Sequence, residues 1–127
     1  MRTTFRTGGF EDAAGYSRAV RVGDHIAVSA TAPTGEEGVA LHRGDTYAQT
    51  RLSFERALAA VRELGGGAEH VTRTRMYLSV DSEWRRAVDA HRELFGDVQP
   101  ANSTFYVAGF IPEGVLVEVE LDAIVSG

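Results

Sequence analysis

The sequence predicts an α+β domain, with two helices packed on one face of a mixed or antiparallel β-sheet. Three observations lead there. Two stretches, residues 45–64 and 81–95, place apolar side chains at helical spacing. Two others, Val71–Val80 and Val115–Val125, alternate with the period of a strand. Together with shorter β-favouring runs they give the order β-β-β-α-β-α-β-β. At 127 residues the chain is read as one domain with a core of its own.

Met1 to Phe10 fits a brief edge strand closed by Gly8-Gly9, and Ala13–Ser17 reads as a loop. Ser17–Val22 and His25–Ala30 form two arms about a Gly23-Asp24 turn, the hairpin pattern. Thr31–Gly44 is rich in Pro, Gly and acidic residues and is expected to be an exposed loop. The first helix runs from about Asp45 to Leu64. Asp45 or Thr46 is its N-cap, and Tyr47, Phe54, Leu58, Val61 and Leu64 form its apolar stripe. Gly65-Gly66-Gly67 ends it, a C-terminal stop rather than a phosphate cradle.

In Val71–Val80, Thr72, Thr74, Met76, Leu78 and Val80 share one face; Arg73, Arg75, Tyr77 and Ser79 share the other. Asp81 or Ser82 is expected to cap a second helix through Phe95, buried along Trp84, Val88, His91 and Phe95. Pro100 biases Gln99 toward an extended backbone and leads into a strand over Ser103–Ala108. In the last strand Val115, Val117, Val119 and Leu121 oppose Glu118, Glu120 and Asp122. A two-layer fold covers one sheet face with helices and leaves the other bare, yet both faces of Val71–Val80 carry large side chains. That predicts a homo-oligomer.

Composition narrows the chemistry. The net charge is −5 and the pI about 5.3, which argues against a general nucleic-acid surface. With no cysteine there is no disulfide, thiolate nucleophile or zinc–thiolate site. All 13 basic residues are arginine, so lysine Schiff-base catalysis and a lysine-dependent phosphate loop are excluded. No apolar run approaches the roughly 20 residues of a membrane span, and the N-terminus lacks a signal-peptide core. A soluble, cytoplasmic protein without membrane contact is expected. His25, His42, His70 and His91 show no metal-ligand spacing.

Four features stand out as candidate chemistry. Glu118 and Glu120, two apart on a strand, point the same way at about 7 Å. Such a pair suits general acid–base work if one pKa is raised, and equally suits a solvated or interface face. Tyr16 can line a pocket or pack as a core aromatic. Ser29 lacks nucleophile-elbow surroundings but can hydrogen-bond at a strand end. Arg73 and Arg75 share a strand face, able to grip a carboxylate or to pair with Glu118, Glu120 or Asp122.

Five segments together resemble the Rid (reactive intermediate deaminase, YjgF-like) family: Tyr16–Gly23, Val28–Pro33, His70–Leu78, the Phe95…Pro100-Ala101 spacing and Val117–Glu120. They span roughly residues 15 to 125 in family order. The resemblance implies a chorismate-mutase-like fold and a homotrimer with clefts between subunits. It also implies cofactor-free hydrolysis of small enamines and imines to a keto acid and ammonia. It assigns Glu118 to orient or activate the attacking water, with Tyr16 and Ser29 beside it. The family's carboxylate-binding arginine, in a Pro-Ala-Arg-Ser motif, is matched here by Asn102, which is neutral and shorter. Ser-Gly-Gln is matched by Ser29-Ala30-Thr31, the cysteine after the arginine by Thr104, and a polar helix residue by Val88. By resemblance, then, Glu118, Tyr16 and Ser29 form the catalytic group. Asn102, Thr104 and Ala30 would contact a small-molecule substrate, with no cofactor and no metal, and Arg75, on its strand face with Arg73, is the candidate to replace the family's cation. A non-catalytic trimer that binds a metabolite or a partner is the alternative. Ribonuclease activity, which some members carry as a label, is disfavoured by the acidic charge and the lack of a histidine pair.

Overall fold

In a computed structural model, which describes residues 1–126, six strands form one mixed sheet. In chain order the elements are β1 (Arg2–Phe5), α1 (Phe10–Ala14), β2 (Ala19–Val22), β3 (His25–Thr31), α2 (Thr46–Glu63), β4 (Val71–Leu78), α3 (Trp84–Phe95), β5 (Ala101–Tyr106) and β6 (Val117–Ile124). The sheet order is β1-β2-β3-β6-β4-β5. β4 and β5, joined through α3, are parallel; the other neighbours are antiparallel. The predicted α+β class stands, with a short third helix added. No helix among the described residues is long and apolar enough to cross a membrane.

Alternation divides the sheet. Ile26, Val28, Met76, Leu78, Val119 and Leu121 point toward α2 and α3 and are buried. Arg73, Arg75, Tyr77, Glu118, Glu120 and Asp122 occupy the opposite face and are half-buried. Helix α2 follows its sequence signals. The Asp45 side chain accepts from the Ala48 N–H at 2.9 Å, and Gly65 takes φ 93° just past the helix end. Phe54 stacks edge-on against Phe95 of α3, with ring centroids 5.1 Å apart.

Several local expectations need correction. Residues 10–14, read across the end of an edge strand and the start of a loop, form α1, whose single turn is too short to show periodicity. In α3 the N-cap is Glu83, not Asp81 or Ser82; its N–H donates to Thr46 Oγ1 of α2 at 3.0 Å. Its buried residues are Ala87, Ala90 and Phe95, whereas Trp84 and Val88 are exposed. Small side chains let α3 approach α2, so packing rather than hydrophobicity selects the inner face. Gln99 has φ 54° instead of an extended backbone. Its N–H and that of Val98 both bond the Phe95 carbonyl, so the end of α3 keeps winding up to Pro100. β5 accordingly begins and ends two residues earlier than expected.

Gln49 is fully buried and was not singled out by the sequence. Its amide donates to the carbonyls of Leu41 and Gly114, both at 3.0 Å, and accepts from the Leu116 N–H at 2.7 Å. It thus pins the loop before α2 and the loop before β6 to one helix. Gln49→Leu keeps the volume but strands these groups, and we expect a loss of about 3 kcal/mol in urea denaturation. Thr50→Val, which removes a hydroxyl bonded back to Thr46 within the helix, should cost clearly less.

Candidate functional site

A cavity of about 940 Å³ lies where the end of β3 meets the start of β6. A register shift between Val28 and Thr31 marks this end of β3. Ala30 of β3, Tyr16 and Arg18 ahead of β2, and Glu118 of β6 all line the cavity. Apolar walls come from Phe10 of α1 and from Phe110 and Ile111 of the loop before β6. The loops that Gln49 holds are therefore walls of this cavity.

Three acidic residues of β6 share a face but not an environment. Glu120 accepts the Tyr77 hydroxyl, and Asp122 pairs with Arg75 at 3.3 Å. Glu118 has no hydrogen bond or ion pair among the described residues. Burial pushes its pKa up; the nearby Arg18 charge pulls it down, and the Glu120 charge adds to the rise, for a net increase. A half-buried, unpartnered carboxylate with a raised pKa in a cavity is suited to moving protons.

Arg18 was present in a family-like segment but was not recognised as a candidate. Its Nε lies 3.3 Å from the buried carboxylate of Glu11, and its Nη1 donates to the Ala30 carbonyl at 2.9 Å. Glu11 is fixed in turn by the Thr7 N–H at 2.9 Å and the Thr7 hydroxyl at 2.6 Å. Burial pushes the Glu11 pKa up, but the Thr7 bonds and the Arg18 charge outweigh it, and the net shift is downward. The clue in the sequence was an arginine between Tyr16 and the buried Ala19, where polar side chains need partners.

Ser29 does not line the cavity. Its hydroxyl donates to the Ser17 carbonyl at 2.6 Å and holds the chain beside Arg18. Arg73 bonds Ser103 at 3.3 Å, so Arg73 and Arg75 are both engaged outside the cavity lining.

Asn102 and Thr104 lie elsewhere. Cross-strand partners share a face, and Asn102 pairs with Thr74, which is buried toward the helices. Glu118 pairs with Tyr77 and lies on the opposite face. The Thr104 hydroxyl donates to Asn102 Oδ1 at 2.8 Å, and Asn102 Nδ2 donates to Thr74 Oγ1 at 3.1 Å. Thr74 Oγ1 sits 2.7 Å from His91 Nε2. Burial lowers the His91 pKa, which disfavours the charged ring. A smaller depression of about 260 Å³ beside Thr104 is lined by Trp84, Phe105 and Tyr106. One chain therefore does not bring Asn102 and Thr104 together with Glu118. No group of three or more metal-ligating side chains occurs among the described residues.

Fold and site together define a YjgF-like α+β domain with a cavity at one end of its sheet. The chain belongs to the family described as Endoribonuclease L-PSP, whose model matches residues 9–125. An uncharacterised protein of Streptomyces coelicolor is 40% identical over 115 residues, covering 90% of this chain and 84% of its own. A RutC family protein of Pyrococcus abyssi is 30% identical over 105 residues, covering 83% and 82%. Among solved structures, a member of the YjgF/YER057c/UK114 family from Mycobacterium tuberculosis superposes with a TM-score of 0.87 at 38% identity. That match covers 98% of this chain and all (100%) of the other. The resemblance to the Rid family is thereby borne out.

The Glu118 environment sets a pH dependence. Its folded pKa lies above its unfolded value, so the native state binds the extra proton. Stability is then greatest below the unfolded pKa and declines as pH rises through the folded pKa. Glu118→Gln cannot ionise. Urea denaturation across a pH series should show the variant gaining on the wild type as pH rises; a constant difference would mean that Glu118 titrates normally.

Proposed function

We propose that this protein is a cofactor-free enzyme acting on a small imine, enamine or enol, in clefts between subunits of a cytoplasmic homotrimer. The observation that carries this reading is Glu118, half-buried, unpartnered and raised in pKa on the wall of a large cavity. For an imine, Glu118 accepts a proton from water as the oxygen adds to the imine carbon. Glu118 returns that proton to the nitrogen to give the carbinolamine; as the C–N bond breaks, the hydroxyl proton passes to the departing nitrogen, leaving a carbonyl compound and ammonia. These steps need only water and proton transfer, so no cofactor enters. Tyr16 lines the cavity and supplies a hydrogen-bonding group there, while Ser29, outside the lining, holds the chain beside Arg18. Asn102 and Glu118 face opposite sides of one sheet, so a cleft that used both would draw them from different subunits, as the trimer reading requires.

The replacement of the family's arginine by Asn102 favours a second reading, a trimer that binds a metabolite or partner without turnover. The endoribonuclease name of the family is weighed against an acidic chain, net charge −5.

The test is keto-acid release from 2-aminoacrylate generated in situ, with wild type, Asn102→Arg and Glu118→Gln compared. The enzyme reading expects wild-type or Asn102→Arg protein to exceed the spontaneous rate, and Glu118→Gln to lose at least about 100-fold. If no variant exceeds the spontaneous rate with this or bulkier imines, the binding reading replaces it. RNA cleavage that co-elutes with the protein through repeated purification would favour the ribonuclease name instead.

A further inference from the structure

We infer that Arg18, positioned by Glu11, is the anion-holding residue of the cavity and takes the carboxylate of a ligand whose apolar body lies against Phe10 and Ile111. The inference rests on the cavity being the ligand site proposed above. It supplies the cation that Asn102 does not.

The argument begins with what is free. A guanidinium carries five N–H donors in a planar fork. Nε is buried 3.3 Å from the Glu11 carboxylate as an ion pair, without a hydrogen-bond partner among the described residues, and Nη1 makes one bond, to the Ala30 carbonyl. Nη2 makes no hydrogen bond or ion pair among the described residues. The Nη edge is thus left with donors to spare, and paired N–H groups of this kind match a carboxylate bidentately. The Arg18 side chain is only 19% exposed, which strengthens any contact it makes to an anion.

Positioning is the second part. Glu11 compensates the buried charge of Arg18, and Thr7 holds Glu11 with two hydrogen bonds. Arg18 therefore does not need Glu118 as a partner, and Glu118 stays free for protons. Other arginines fit the role less well. Arg73 and Arg75 are engaged outside the cavity lining. Arg56 lines the cavity but is exposed, and its Nη1 bonds the carbonyls of Thr34 and Ala32. The third part is the wall: beside Arg18 the cavity presents aromatic and aliphatic carbon, which favours an organic anion over an inorganic one.

The test is calorimetric titration with 4-methyl-2-oxopentanoate and with its methyl ester, which keeps the shape and lacks the charge. Wild-type protein should bind the carboxylate at least about tenfold more tightly than the ester. Arg18→Gln should bind the two alike, and Arg56→Gln should keep the preference. Because Arg18→Gln alone strands the Glu11 charge, the double variant Glu11→Gln/Arg18→Gln is titrated as well, with the same expectation. The inference falls if wild type shows no binding or no preference, if either Arg18 variant keeps the preference, or if Arg56→Gln loses it. Keto-acid release measured in parallel separates the two proposals. Carboxylate preference without turnover upholds Arg18 and removes the enzyme. Wild-type turnover in the Arg18 variants upholds the enzyme and removes Arg18.

Discussion

The side-chain amide of Gln49 is the constraint on which the cavity depends. Three backbone groups, from Leu41, Gly114 and Leu116, converge on one fully buried amide. None of the three belongs to a helix or strand, so no ladder would satisfy them. Without Gln49 each would have to find water. With it, the long loop after β3 and the loop before β6 are fixed to the first turn of α2. Those loops carry Thr34 and residues 109–112 to the cavity wall. The shape of the cavity thus follows from a polar contact beneath it, while the apolar core supplies the platform.

A second constraint acts on charge. The open face of the sheet carries Glu118, Glu120 and Asp122 in a row on β6. Tyr77 and Arg75 on β4 satisfy the latter two. The residues opposite each carboxylate decide its behaviour: equal side chains on one strand face become unequal groups. Near the cavity the pattern repeats with the sign reversed. Glu11 and Glu118 are both acidic and both near Arg18, but hydrogen bonds hold the Glu11 pKa down while burial holds that of Glu118 up. Two carboxylates driven apart in this way can serve one cavity, one fixed as an anion and one able to exchange a proton.

The same distinction explains what the sequence revealed. Alternation along residues 71–80 and 115–125 and the helical stripe at 45–64 gave the sheet, α2 and the placement of Glu118, because periodicity is a local property of the chain. Side-chain partners are not local. Nothing at Gln49 announces carbonyls 8 and 65 residues away. The inner face of α3 also escaped, since hydrophobicity marked Trp84 and Val88 while close approach to α2 required Ala87 and Ala90. Tyr16, Ala30 and Glu118 do meet at one cavity, whereas Asn102, Thr104 and Arg75 lie outside its lining. Arg18 was visible as a letter but not as a cation, because its role depends on a buried glutamate seven residues earlier in a turn too short to recognise.

Asn102 has partners of its own. Its amide bridges Thr104 and Thr74, and Thr74 carries the contact on to His91, which packs between Phe54 and Phe95. A guanidinium at this position has donors but no acceptor, so it could not receive the Thr104 proton as Asn102 Oδ1 does. It would also bring a positive charge toward a ring whose burial already disfavours protonation. The uncharged side chain at 102, the hydroxyl at 74 and a ring at 91 whose burial disfavours charge are therefore one consistent set. A cation for the cavity is easier to accommodate on the other side of the sheet, where Glu11 is already in place to balance it.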